Sequence, residues 1–208
     1  MHRIGLAACV GMLVLVGCQP KEQLPAASDP EATVRKAEAL EQNAASGGDK
    51  TAPAPSEIIG KPEAQAVDPD GKERLDDALT CLARTIYWEA RGEKAGSMEA
   101  VANVVMNRLG HQGFPDTVCA VVRQGNEHGA CQFSWWCDGR SDQANEDESY
   151  ATAKEIARRA LNLQLRDRTG GALYFHNRNV TPGWSREYRE TVAIGDFVFY
   201  KPRGGEAR

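Results

Sequence analysis

The chain is poor in the residues that hold catalytic metals. Its four histidines are His2, His111, His128 and His176, with no His-x-His or His-x-x-x-His pair, and its six cysteines contain no Cys-x-x-Cys. Zinc sites are usually built from such closely spaced ligands, so no metal or other cofactor is expected. A basic surplus is missing as well. Residues 19–80 carry 13 acidic and 7 basic side chains and residues 81–208 carry 16 and 17, so the net charge of −4 comes from the N-terminal part. The C-terminal part lacks the positive field of a nucleic-acid binder, which excludes DNA and RNA as partners. There is no internal repeat, and residues 19–74 contain no aromatic side chain.

What the N-terminus does contain is an export pattern. Arg3 gives a positive start, an apolar run follows from Ile4 to Val16, and Leu15-Val16-Gly17 places small residues directly before Cys18. The run is too short for a permanent membrane span, so residues 1–17 read as a cleaved signal. The Leu-Val-Gly-Cys tetrad resembles a bacterial lipobox, which implies a lipid anchor on Cys18. Gln19 goes with outer-membrane sorting, facing the periplasm, if the envelope is Gram-negative. Residues 18–74 are rich in Ala, Pro, Glu, Gln, Ser and Gly and are predicted to form a disordered tether, with Glu31 to Ala45 as a transient helix at most.

Residues 75–208 suffice for one domain with a single core. Helices are predicted from about Leu75 to Ala90, from an N-cap at Ser97 through Leu109, from Pro115 to about Arg123, and from about Glu148 to Leu165. Beyond Gly170-Gly171 the pattern changes. Ala172 to His176 and Val192 to Tyr200 are rich in aromatic and β-branched residues and predict short strands. The fold class is therefore α+β, mainly helical, with a small extended segment.

Glu89 is the unusual residue. On the first of these helices Leu82, Ile86 and Glu89 fall on one stripe, so a carboxyl group projects from an otherwise apolar face. Desolvation beside Trp88 would keep it protonated and suit it to general-acid work. A structural ion pair with Arg84 or Arg91 is the competing reading. Around it, Glu89-Ala90-Arg91-Gly92-Glu93, the run from Ala100 to Arg108, Phe114-Pro115-Asp116-Thr117-Val118-Cys119, Cys131-Gln132-Phe133-Ser134 and Ile194-Gly195-Asp196-Phe197-Val198-Phe199-Tyr200 stand in one order. Together these blocks resemble the SleB-type cell-wall hydrolases over about residues 78–201. The resemblance implies a lysozyme-like domain that cleaves peptidoglycan glycan strands, with Glu89 at the catalytic position. Hydrolysis by a second acid would fall to Glu93 or Asp138, and without one a lytic transglycosylase route follows.

Four cysteines remain after export. Their even number predicts two disulfides, preferably Cys81–Cys119 and Cys131–Cys137, with a four-thiolate zinc site as the alternative. The second bridge would close a loop carrying Gln132, Phe133, Ser134, Trp135 and Trp136, whose rings can stack on sugars and whose polar groups can bind an N-acetyl group, although one ring is expected in the core. Tyr174, His176, Asn177 and Trp184 form a second candidate wall, with His176 read as a satisfied hydrogen-bonding residue rather than a base. The expected molecule is an envelope-anchored monomer acting on peptidoglycan. A noncatalytic peptidoglycan-binding lipoprotein, or a peptidoglycan amidase, would be the alternative.

Overall fold

The computed structural model describes residues 28–46, 51–125 and 131–204. Among the described residues six α-helices, α1 (Pro30–Ala45), α2 (Lys61–Ala66), α3 (Ala78–Glu89), α4 (Ala95–Arg108), α5 (Val118–Arg123) and α6 (Asp147–Leu161), precede a three-stranded sheet. The central helix is α3, almost wholly buried, with Leu79, Leu82, Ala83 and Ile86 at 0% exposure. Such all-round burial follows from its composition, which is apolar on more than one face. Asp77 caps its N-terminus by accepting from the Thr80 amide.

The helix boundaries depart from the sequence reading in instructive ways. Ser97 is not the N-cap of α4, a position taken by Lys94. Instead the Ser97 hydroxyl donates to Glu93 Oε2 at 2.8 Å, so it ties the helix to the loop before it. Thr117 caps α5 through the Ala120 amide. The C-terminal aromatic segment is a hairpin: β2 (Arg189–Ile194) and β3 (Phe197–Lys201) turn at Gly195, and β1 (Tyr174–Asn177) pairs with the far side of β3, giving the antiparallel order β1-β3-β2. Gly195 has φ +55°, and a Cβ there would fall on Ser97 Oγ and Glu93 Oε2. Only glycine lets the hairpin approach the start of α4 this closely.

The largest correction concerns the predicted tether. Its described residues from Pro30 onward are folded: Ala37, Leu40 and Ala44 of α1, then Ile59, Ala64 and Val67, enter the same core as α3 and α6. Asp29 caps α1 and Pro30 occupies its first turn, the standard entry to a helix. Glu41 reaches from α1 to accept the Val118 amide at 2.8 Å, satisfying a donor at the start of α5. Asn162 clamps Ile59 from both sides, accepting from its amide at 3.0 Å and donating to its carbonyl at 2.9 Å. Asp68 is buried under a lattice of donors: Arg84 at 2.7 Å, the Tyr150 hydroxyl at 2.5 Å, and the amides of Lys72 and Glu73. A segment poor in aromatics can thus be ordered by small residues and hydrogen bonds, which composition does not register. The signal-peptide and Cys18 assignments lie outside the described residues.

Both expected disulfides are present, Cys81–Cys119 joining α3 to α5 and Cys131–Cys137 closing the small loop. The first joins cysteines 38 positions apart and the second cysteines six apart. On chain entropy alone the larger loop stabilises the fold by about 4 kcal/mol against about 2 kcal/mol for the smaller.

Candidate active site

Glu89 is the last residue of α3, at one wall of a cleft of about 890 Å³. Residues of β1 and of the loop closed by Cys131–Cys137 line the same cleft. The helix delivers the carboxyl there because Ile86 and Leu82, one and two turns earlier on the same stripe, are fully buried. Protein surrounds the group closely. Desolvation pushes its pKa up from 4.5 to about 7, and the positive charge of Arg108 pulls against that rise.

The competing reading of Glu89 as half of a structural ion pair is not what the geometry shows. Arg84 is committed to Asp68 at 2.7 Å, and Arg91 is paired with Glu146 of the α6 cap. Among the described residues no side chain or amide hydrogen-bonds Glu89. An acid left without a donor in a desolvated setting holds its proton near neutral pH, the condition for a general acid.

Of the two other carboxylates singled out from the sequence, Glu93 lines the cleft and accepts from Ser97, while Asp138 lines it from the disulfide loop and accepts from the Arg140 amide. Among the loop residues Gln132, Ser134 and Trp135 line the cleft, with Ser134–Trp136 forming one 3-10 turn. Phe133 does not: it is 0% exposed and packs toward Phe175, and Trp135, though it edges the cleft, is itself only 6% exposed, so two rings of the set belong to the core. Trp136 also turns away, onto the Arg123 guanidinium 4.9 Å from its ring centre.

From the sheet side Tyr174, His176, Asn177 and Trp184 are all brought to the cleft. Tyr174 stacks on Tyr188 at 4.6 Å between ring centres, and Trp184 lies 5.8 Å from Tyr174 and 5.6 Å from His176. His176 is engaged at both nitrogens, with the Asn177 carbonyl at 2.9 Å and the Tyr200 hydroxyl at 3.1 Å, as expected of a satisfied residue. Sequence reasoning missed Tyr188, Trp88 and Arg108 in the lining. Trp88 was legible from its place beside Glu89. Arg108 was not, because a basic residue at the end of α4 reads as an ordinary helix-terminal charge. No group of three or more His, Cys, Asp and Glu side chains that could hold a metal ion occurs among the described residues.

A mainly helical core, a small antiparallel sheet and a cleft with an acid at a helix end define a lysozyme-like domain. The sequence profile of the cell wall hydrolase family matches residues 92–200, just over half of the chain, and the protein belongs to that family. The match begins three residues after Glu89. A spore cortex-lytic enzyme of Halalkalibacterium halodurans is 34% identical over 127 residues, covering 60% of this chain and 34% of the relative. The corresponding enzyme of Oceanobacillus iheyensis is 34% identical over 134 residues, covering 64% and 44%. The chain therefore spans less than half the length of these relatives. Among solved structures, the catalytic domain of the germination-specific lytic transglycosylase SleB from Bacillus anthracis is similar, at 31% identity and a TM-score of 0.50, over 64% of this chain and 99% of that domain.

Proposed function

We propose that the domain cleaves the glycan strands of peptidoglycan at the cell envelope, with Glu89 as general acid and then general base. The observation that carries this reading is a carboxyl group with no hydrogen-bond partner among the described residues, its pKa raised to about 7, sharing with several aromatic rings a cleft large enough for several sugar rings. Sugars stack on such rings, and here Tyr174 and Trp184 present them, with Gln132, Ser134 and Asn177 as hydrogen-bonding partners and the buried edge of Trp135 beneath. Glu89 gives its proton to the glycosidic oxygen as the C1–O bond breaks. The substrate's acetamido group stabilises the cation, and the Glu89 carboxylate then takes a proton from the muramic C6 hydroxyl as it closes onto C1. No second carboxylate is required for this route, which favours lytic transglycosylation; hydrolysis would draw on Glu93 or Asp138. The SleB domain named above is described as a lytic transglycosylase, which supports the same choice.

Mass analysis of fragments released from purified sacculi tests the reading. Anhydromuramic ends are expected. Reducing ends would move the mechanism to hydrolysis, and binding without any release would leave a noncatalytic binding protein. A release of stem peptides alone would point to an amidase.

The Leu15-Val16-Gly17-Cys18 tetrad supports a lipid anchor on Cys18 and residence at the envelope, on the periplasmic side of an outer membrane if the cell has one. Each buried acyl methylene contributes about 0.8 kcal/mol, so several chains hold the protein firmly. Labelled palmitate should enter the wild-type protein and not Cys18→Ser, and unlabelled wild-type protein in the soluble fraction would reject the anchor.

A further inference from the structure

Arg108 ends α4 as Glu89 ends α3, and both line the same cleft. Its guanidinium is held without freedom to move. Nε donates to the Leu173 carbonyl at 2.7 Å, and the rings of Phe114, Phe133 and Tyr174 stand 5.1, 5.1 and 5.6 Å from its carbon. The residue is 3% exposed, yet Nη1 has no hydrogen-bond acceptor among the described residues. An arginine buried to this degree normally sits against a carboxylate, because an uncompensated charge in the interior is costly. Among the described residues no carboxylate is bonded to it.

We infer that Arg108 is a positioning residue that awaits the negative charge Glu89 acquires when it gives up its proton. The inference rests on the proposed catalytic role of Glu89. While Glu89 is protonated, Arg108 lacks an anion; as the proton moves to the leaving oxygen, a fixed cation meets the developing carboxylate. Interactions gained only as charge develops lower the barrier rather than merely tightening binding. The seat of three rings and a carbonyl serves this end, since a cation that could swing out to water would gain nothing from the transfer.

The other charged and titratable groups around the acid are engaged elsewhere or carried by other partners. Arg91 is held by Glu146, and Glu93 accepts from Ser97. From the disulfide loop come Asp138, bonded to the Arg140 amide, and the Arg140 side chain. From the sheet side come His176, bonded to Asn177 and Tyr200, and the phenols of Tyr174 and Tyr188. On α3 and α6, Arg84 and Tyr150 are both bonded to Asp68. Of all these only Arg108 contributes an opposing charge to the titration of Glu89, and Glu89 in turn favours the charged form of Arg108.

The test follows the Glu89 carboxyl carbon by NMR in glutamate-labelled protein, with Glu89→Gln to assign the signal, beside the pH profile of sacculus cleavage. Arg108→Gln keeps a donor for Leu173 and removes the charge; its Glu89 midpoint should rise by about one unit, the alkaline limb of activity should move with it, and kcat should fall ten- to a hundredfold with KM little changed. Arg108→Lys keeps the charge and should leave the midpoint close to wild type even if it melts earlier. Should Arg108→Gln not fold, Arg108→Met is read the same way, and the Lys variant remains decisive: a midpoint raised in Lys would overturn the inference. So would a neutral variant whose midpoint and profile match wild type while only its melting temperature drops. A wild-type protein that cleaves no glycan would instead reject the catalytic reading, leaving the NMR comparison interpretable.

Discussion

Replacing Glu89 by glutamine is expected to stop glycan cleavage and, above neutral pH, to stabilise the fold. The two effects share one cause. In the folded protein the Glu89 pKa is raised from 4.5 to about 7 by desolvation, opposed by Arg108. Below pH 4.5 the carboxyl is protonated in both folded and unfolded chains, and its contribution to stability is fully present. As pH rises toward 7 the unfolded chain releases the proton first, and past about 7 the folded chain must carry a desolvated charge. The contribution is therefore lost as pH rises, by up to about 3 kcal/mol for a shift of this size. Glutamine carries no such charge. The two proteins should melt together near pH 4.5 and diverge by several degrees at pH 8, with the variant the more stable. Cleavage should fall by more than the roughly 10²–10⁴-fold attached to one general acid, because the same residue acts again as base. Parallel melting curves across pH would sink the raised pKa, and a variant that cleaves at near wild-type rate would move the search to Glu93.

The second large effect is expected far from the cleft, at Asp68→Asn. The Asp68 and Arg84 side chains are 0% and 2% exposed, and their bridge at 2.7 Å is joined by Tyr150 and two backbone amides. Asparagine tolerates the positive φ of 45° that Asp68 adopts, so backbone strain is not added. It cannot balance Arg84, and removing one partner of a buried pair costs about 3–5 kcal/mol. A fall in melting temperature on the order of 10 °C should result. The exposed pair Lys36–Glu63, with about 30% of each side chain accessible, should lose at most about 1 kcal/mol when Lys36 is truncated. There is a pH signature as well. Burial alone would raise the Asp68 pKa, but hydrogen bonds from Tyr150, the Glu73 amide and Arg84 outweigh it and hold it below 3.8. Its stabilisation is present above pH 3.8 and lost as pH falls through the lowered value, so the wild-type protein should lose in acid an increment that the Asn variant lacks. Equal melting of the two at pH 7 would show that the network contributes nothing.

The sequence was most legible where periodicity and chemistry agreed. Leu82, Ile86 and Glu89 marked both the buried stripe of α3 and the acid at its end, and the cysteines paired as their number and order suggested. It was least legible between Pro30 and Val67. There the signals were Asp29-Pro30 as a helix start and Thr33, Ala37, Leu40 and Ala44 on one face, all buried. Three of those four are small or polar, so a reading weighted by hydrophobicity gave the stretch to solvent. The hairpin of β2 and β3 was read as one extended run because Gly195-Asp196 is short. Its need for glycine lies in contacts with Ser97 and Glu93, about a hundred residues away in the chain. Arg108 was illegible for the same reason: its meaning comes from Leu173 and three rings that only the fold assembles.

The folding of α1 into the core also sets a leash. With a lipid on Cys18, only residues 19–28 separate the anchor from the Asp29 cap of the folded body, and ten residues reach at most about 35 Å even when fully extended. A free chain running to residue 74 would have extended several times farther. If Cys18 is lipidated as proposed, a domain so held would work at high local concentration within a shell next to its own membrane, thinner than a tether running to residue 74 would allow.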